Sequence, residues 1–191
     1  MSHFFAYLAR MKLIRRWGLM HSLLPENVQE HSARVAIIAH ALAVIRNRFY
    51  EGNLNPERAT TFALFHDASE VLTGDLPTPV KYFNPAIREA YASIETSANQ
   101  KLLSLLPEEL QPDYRELFDE SGDEEYRQLV KAADKLCAYL KCLEEVGTGN
   151  QEFAKAETSI RASIDKMNLP EVAYFLEVFV PSFRLTLDEL D

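Results

Sequence analysis

The sequence predicts an all-α fold, and three observations carry that prediction. Apolar residues recur at alternating spacings of three and four along the longer segments, which lines them up on one face of a helix. Segments open on capping or proline signals, at Asn27, Asn55-Pro56 and Asn84-Pro85, and close on Pro107 or on Gly147 and Gly149. No stretch alternates as a half-buried strand does, and there is no internal repeat or low-complexity tract.

Taken in order, Phe4 to Ile14 reads as a first helix with Phe4, Leu8 and Met11 inward, and Arg15-Arg16-Trp17-Gly18 breaks it. Trp17 is the sole tryptophan. It either caps a core edge or, beside guanidinium groups, holds part of a nucleotide. Asn27 caps the second helix, with Glu30 three residues on. Its core seam is Val28, His31, Val35, Ile38, Leu42 and Ile45. A histidine in such a seam is by itself usually a hydrogen-bonded core residue. His40 lies off the seam and carries no further reading.

Pro56 opens a third helix expected to run to Leu72, followed by a loop punctuated by Gly74, Pro77 and Pro79. On a continuous helix Glu70 lies four residues after His66 and three after Asp67, over the same face. A fourth helix runs from Pro85 to about Leu106, and residues 107–122 suggest a brief helix and a loop. Asp123 to Val146 forms the clearest later helix, with Val130, Ala133, Cys137 and Leu140 inward. Asp134 stands beside that stripe in an apolar-rich run, where a carboxylate is costly unless paired or ligating. Helices over about 151–167 and 170–180 close the chain. The aromatics Tyr174, Phe175 and Phe179 of the last suit a core or a subunit interface, and a homodimer is the expected assembly.

The 191 residues suit a single domain over 1–191, able to bury about 70% of its unfolded surface without disulfides. A net charge of −9 argues against a nucleic-acid polymer as partner, since that requires a basic surface. Yet residues 1–25 carry four basic residues and no acidic one, a small positive region suited to one small anion or simply a solvated face. Cys137 and Cys142, poorly placed for a bridge, point to a reducing cytoplasmic setting. No apolar run reaches membrane-spanning length, and the basic N-terminus does not read as a signal peptide.

His31, His66, Asp67 and Asp134 thus form the order H…HD…D. The strings ENVQEHS around His31, HDASEVLTGDLPTPVKYF from His66 to Phe83, and KAADKLCAYLKCLEE around Asp134 extend it, as do an N-terminal RRW and a C-terminal FVPSF. On these residues the chain resembles the HD-domain metal-dependent phosphohydrolases, and among them the bacterial 5′-deoxynucleotidases of YfbR type. The resemblance implies a compact helical fold with a metal site between core helices, one divalent cation, and hydrolysis of deoxyribonucleoside 5′-monophosphates to nucleoside and phosphate. It also places Trp17 by the sugar, where a bulky ring leaves no space for a 2′-OH.

The residue chemistry is consistent with that implication. Two imidazoles and two carboxylates suit a borderline divalent ion, with cobalt or manganese ahead of zinc, nickel, iron or magnesium. Glu70 is placed to orient or deprotonate a water. Asp75 either protonates the leaving 5′ oxygen or bonds the sugar 3′-OH. Arg16 is the candidate phosphate clamp and Lys81 a weaker one, and Thr78 joins them with Trp17 and Asp75 in the substrate set. Residues 67–191 contain no histidine, and dinuclear members of the class use extra histidines there, so a single ion is expected. Other readings are a guanosine tetraphosphate or deoxynucleoside triphosphate hydrolase of the same class, and a non-catalytic nucleotide or metal sensor.

Overall fold

A computed structural model describes residues 1–118 and 123–190, and within them the chain is helical. The helices are α1 (Phe4–Leu8), α2 (Val28–Phe49), α3 (Pro56–Phe65), α4 (Glu70–Thr73), α5 (Thr78–Lys81), α6 (Pro85–Ser104), α7 (Gln111–Arg115), α8 (Glu124–Gly147), α9 (Ala154–Asp165) and α10 (Pro170–Val178). Short 3-10 turns lie at Met11–Leu13, Glu108–Leu110, Gln151–Phe153, Val180–Arg184 and Leu187–Glu189. Among the described residues there is no strand, only an isolated bridge between Arg15 and Asn27. Part of the loop expected within 107–122 falls at residues 119–122, outside the described residues.

The expected caps form. Asn27 Oδ1 accepts from the Glu30 N–H at 3.0 Å, and Asn84 Oδ1 accepts from the Ile87 N–H at 2.8 Å. The first helix is shorter than its apolar pattern suggested. It ends at Leu8, a 3-10 turn follows at Met11–Leu13, and the chain beyond is extended and pairs with the approach to α2, through Arg16 N–H to Glu26 O at 3.1 Å and Val28 N–H to Ile14 O at 3.0 Å.

Packing divides the described chain into two compact units, each assembled from separated segments, so no single cut in the sequence isolates either. The first comprises residues 1–21, 25–33 and the described residues from 64 to 118; the second comprises 22–24, 34–63 and those from 123 onward. In the first, Phe4, Ala68, Leu102 and Leu106 are buried, with Tyr7, Phe65, Val71, Tyr114 and Phe118 packed around them. Phe4 meets Tyr114 and Phe118 edge-to-face, with ring centroids 5.4 and 6.0 Å apart. Truncating such a fully buried ring costs about 3–5 kcal/mol.

In the second unit Val35, Ile38, Leu42 and Ile45 of α2 pack with Val130, Ala133, Cys137 and Leu140 of α8 and with Ile164, Val172 and Phe175 of α9 and α10. The two cysteines are buried thiols with no disulfide. The same unit holds a buried ion pair, Lys141 with Glu145. The Glu145 carboxylate also accepts from Ser22 Oγ at 2.6 Å, from the Leu23 and Leu24 N–H groups at 3.0 and 2.9 Å, and from Asn150 Nδ2 at 2.8 Å.

Candidate active site

The chain that carries the site does not continue α3. Instead of helix through Leu72, it turns tightly after Phe65. Ala68, Glu70, Val71 and Leu72 donate their N–H groups to Phe65, Asp67, Ala68 and Ser69, three residues back, at 3.0, 3.1, 3.3 and 2.9 Å. The cause lies in the side chains: Phe65, Ala68 and Val71 are three apart, and all pack against the core of the first unit. A period of three brings such residues into line, and it does the same for Asp67 and Glu70 on another side. Gly74 then ends α4 at φ 74°, a backbone that a residue with a Cβ adopts only with strain, and Asp75 follows.

Around this turn the first unit gathers most of the residues expected at the site. His66 Nε2 lies 3.1 Å from Asp67 Oδ2, and His31 Nε2, on fully buried His31 of α2, lies 3.6 Å from the same oxygen. Ligand atoms of the two histidines come within 4.8 Å of one another. Arg16 Nη1 approaches Asp67 Oδ2 at 3.4 Å. Trp17 sits at φ 61°, a conformation that costs a residue with a Cβ about 1–2 kcal/mol. Its backbone N–H faces Asp75 as a hydrogen-bond donor.

The electrostatics separate the carboxyls. Burial pushes the Asp67 pKa upward, but His66, His31 and Arg16 outweigh it and hold Asp67 well below the usual carboxylate range. Glu70 goes the other way: burial first, then the carboxylates of Asp67 and Asp75, push it up to about 10 against Arg16 and Lys81. Glu70 Oε2 is buried with no hydrogen-bond partner among the described residues. Burial also raises Asp75, with Asp67 adding to the rise and Arg16 opposing it. Two imidazoles and a low-pKa carboxylate beside an unsatisfied buried carboxyl oxygen form a mixed nitrogen and oxygen donor set that fits a divalent cation.

The remaining residues singled out in the sequence lie on α5, α2 and α8. Lys81 Nζ donates to Glu95 Oε1 at 2.9 Å and lies 4.7 Å from the centre of the Tyr91 ring. Thr78 is exposed at the start of α5, and His40 is exposed on α2. Asp134 is half-buried on α8, in the second unit.

Sequence reasoning missed Glu26. Its Oε2 accepts from Arg16 Nε at 3.2 Å and from the Trp17 indole N–H at 3.0 Å, and its Oε1 lies 4.0 Å from His31 Nδ1. The available signal was charge order: Glu26 is the first acidic residue of the chain, after a segment with only basic ones.

A helical fold that presents H…HD residues around one carboxylate-rich turn defines the HD-domain phosphohydrolases. The 5′-deoxynucleotidase YfbR-like family matches residues 3–183, and the chain belongs to that family. It is 58% identical over 190 residues to a 5′-deoxynucleotidase of Vibrio parahaemolyticus, covering 99% of this chain and 98% of that one. To a 5′-deoxynucleotidase of Pectobacterium atrosepticum it is also 58% identical over 190 residues, covering 99% and 96%. An HD-domain phosphohydrolase from Listeria innocua superposes with a TM-score of 0.83 at 27% identity, over 95% of this chain and 88% of that one. The cyanophage S-2L HD phosphohydrolase, solved with dA and one catalytic Zn2+, shares the fold at a TM-score of 0.67 and 22% identity, over 93% and 96% of the two chains.

Proposed function

We propose that this chain works as a 5′-deoxynucleotidase with one divalent cation held by His31, His66, Asp67 and Asp134. The enzyme is a phosphoric monoester hydrolase: it adds water to a deoxyribonucleoside 5′-monophosphate and releases deoxynucleoside and phosphate. The observation that carries the residue assignment is the meeting of both imidazoles with Asp67, beside a buried Glu70 that lacks a partner on one oxygen. For Asp134, the support is its half-buried place among buried Ala132, Ala133 and Leu136, where a carboxylate needs a compensating charge. A divalent cation in such a site lowers the pKa of a bound water and offsets charge on the phosphoryl group.

The chain's own residues then divide the work. Glu70, which would ionise once a divalent cation beside it offsets the neighbouring Asp67 and Asp75 carboxylates, takes a proton from the attacking water. Asp75 is also biased toward its protonated form and donates to the leaving 5′ oxygen. Arg16 grips the phosphate, and Trp17 packs against C2′ and disfavours a ribose hydroxyl there. Cobalt or manganese is the preferred ion, with zinc, which the cyanophage fold neighbour carries, among the alternatives. No described helix is long and apolar enough to cross a membrane. The reduced thiols suit a cytoplasmic setting, and the exposed Phe179 and Phe183 near the C-terminus suit a homodimer contact.

The test is a phosphate-release screen over deoxy- and ribonucleoside 5′-monophosphates with each divalent metal. Orthophosphate should appear from deoxynucleotides in preference to ribonucleotides, by about tenfold or more. Release of pyrophosphate or tripolyphosphate from longer phosphates, with none from monophosphates, overturns the reading. Asp134→Ala should lose stoichiometric metal by elemental analysis; full occupancy in that variant removes Asp134 from the ligand set.

A further inference from the structure

We propose that Glu26 is the positioning residue that sets both substrate contacts, the Arg16 guanidinium and the Trp17 indole, in their working orientation. The inference rests on the reading of Arg16 and Trp17 as phosphate and sugar contacts. Glu26 is nearly buried, at 9% exposure, and one of its oxygens accepts from both side chains, at 3.2 and 3.0 Å. By occupying the Nε edge of Arg16 it fixes the plane of the guanidinium and turns the Nη edge toward Asp67, where Nη1 lies at 3.4 Å. By accepting from the indole N–H it fixes the ring of a residue whose backbone is already held at φ 61°.

The backbone beneath is tied as well. Arg16 N–H donates to Glu26 O at 3.1 Å, and Val28 N–H donates to Ile14 O at 3.0 Å. The segment bearing the two substrate contacts is therefore registered against the segment that enters α2 and carries His31. Glu26 Oε1, 4.0 Å from His31 Nδ1, lies beyond hydrogen-bond length, so Glu26 acts on the substrate contacts rather than on the histidine. A carboxylate suits this post because one anionic oxygen can accept from a charged and a neutral donor together. A glutamine keeps the size and one acceptor oxygen but loses the charge.

The experiment uses the full-length, metal-loaded enzyme for kinetics and exploits Trp17 being the sole tryptophan for spectroscopy. Glu26→Ala should raise KM for dAMP by about tenfold or more while kcat changes by less than about threefold. It should also reduce the preference for dAMP over AMP, and Glu26→Gln should fall between it and wild type. In metal-free protein without substrate, iodide should quench Trp17 emission more strongly in Glu26→Ala than in wild type, and metal content after loading should be unchanged. Should Glu26→Ala fail to fold, Glu26→Gln carries the same comparison at smaller amplitude.

If KM, the deoxy-to-ribo ratio and quenching all stay at wild-type values in both variants, while Arg16→Ala and Trp17→Ala alter KM and the ratio, Glu26 positions nothing. Loss of metal from either Glu26 variant overturns the proposal in favour of action through His31. If Arg16→Ala and Trp17→Ala leave KM and the ratio unchanged, the substrate reading fails first and the positioning role falls with it. The quenching measurement still shows whether the indole bond exists.

Discussion

Glu70 in the first unit and Glu145 in the second are both glutamates with buried carboxyl oxygens, and they are solvated by the protein in opposite ways. Glu145 has an ammonium, two backbone N–H groups, a hydroxyl and an amide directed at its two oxygens. Burial pushes its pKa upward, but the bonds from Lys141, Ser22, Asn150 and Leu24 hold it well below the usual carboxylate range. For Glu70, which has an oxygen without a partner among the described residues, burial first and then the carboxylates of Asp67 and Asp75 push the pKa up to about 10. A carboxylate built for stability is surrounded by donors. The one we propose for proton transfer is left under-satisfied, and the residual desolvation makes it responsive to whatever binds beside it.

Removing each group should therefore have opposite consequences. The largest effect is on catalysis: Glu70→Ala should lower kcat by about 10² to 10⁴. The same variant should melt no lower than wild type, because it deletes a poorly satisfied buried polar group rather than a paired one. Calorimetry alongside turnover checks both halves. A variant with near wild-type kcat shows that Glu70 does not handle the proton.

Glu145→Ala should do the reverse. It leaves the buried Lys141 ammonium with the Leu24 carbonyl oxygen but no carboxylate, and it removes the acceptor from the Leu23 and Leu24 N–H groups, so unfolding free energy should drop by about 3–5 kcal/mol, while kcat per folded molecule holds. Denaturant titration measures it, and a loss under about 1 kcal/mol would make the cluster ornamental.

The pH dependence sharpens the same contrast. A carboxyl with a depressed folded-state pKa contributes stability that is fully present above its ordinary value of about 4.3 and is lost as pH falls below that. Wild-type stability should therefore decline on acidification below about pH 4–5, and Glu145→Gln should flatten the decline. Parallel curves for the two proteins would assign the acid sensitivity to other groups. The smallest effect belongs to Lys81, whose ammonium is partly exposed and bound to Glu95 at 2.9 Å. Lys81→Met should cost under about 1 kcal/mol and leave KM for dAMP within about threefold of wild type. A larger rise in KM would place the ammonium on the phosphate during turnover.

Much of this molecule was determined by local sequence. The α2 seam from Val28 to Ile45, the α8 stripe from Val130 to Leu140, and the Asn27 and Asn84 caps appear as the periodicity and capping chemistry require, because helical period and side-chain caps are set within a few residues. The order H…HD…D and the strings around it were enough to indicate the family. Tertiary packing decided the rest. The turn after Phe65 broke a run that reads as continuous helix, because Phe65, Ala68 and Val71 had to reach one core, and that period of three brings Glu70 more closely into line with Asp67 than a continuous helix would. Likewise, Lys81 found Glu95 across 14 residues, and Glu26 found Arg16 and Trp17 across an extended pairing that no helical pattern announces. Contacts between residues distant in the chain depend on where the backbone turns, and those turns are selected by burial of the whole unit rather than by the residues that do the turning.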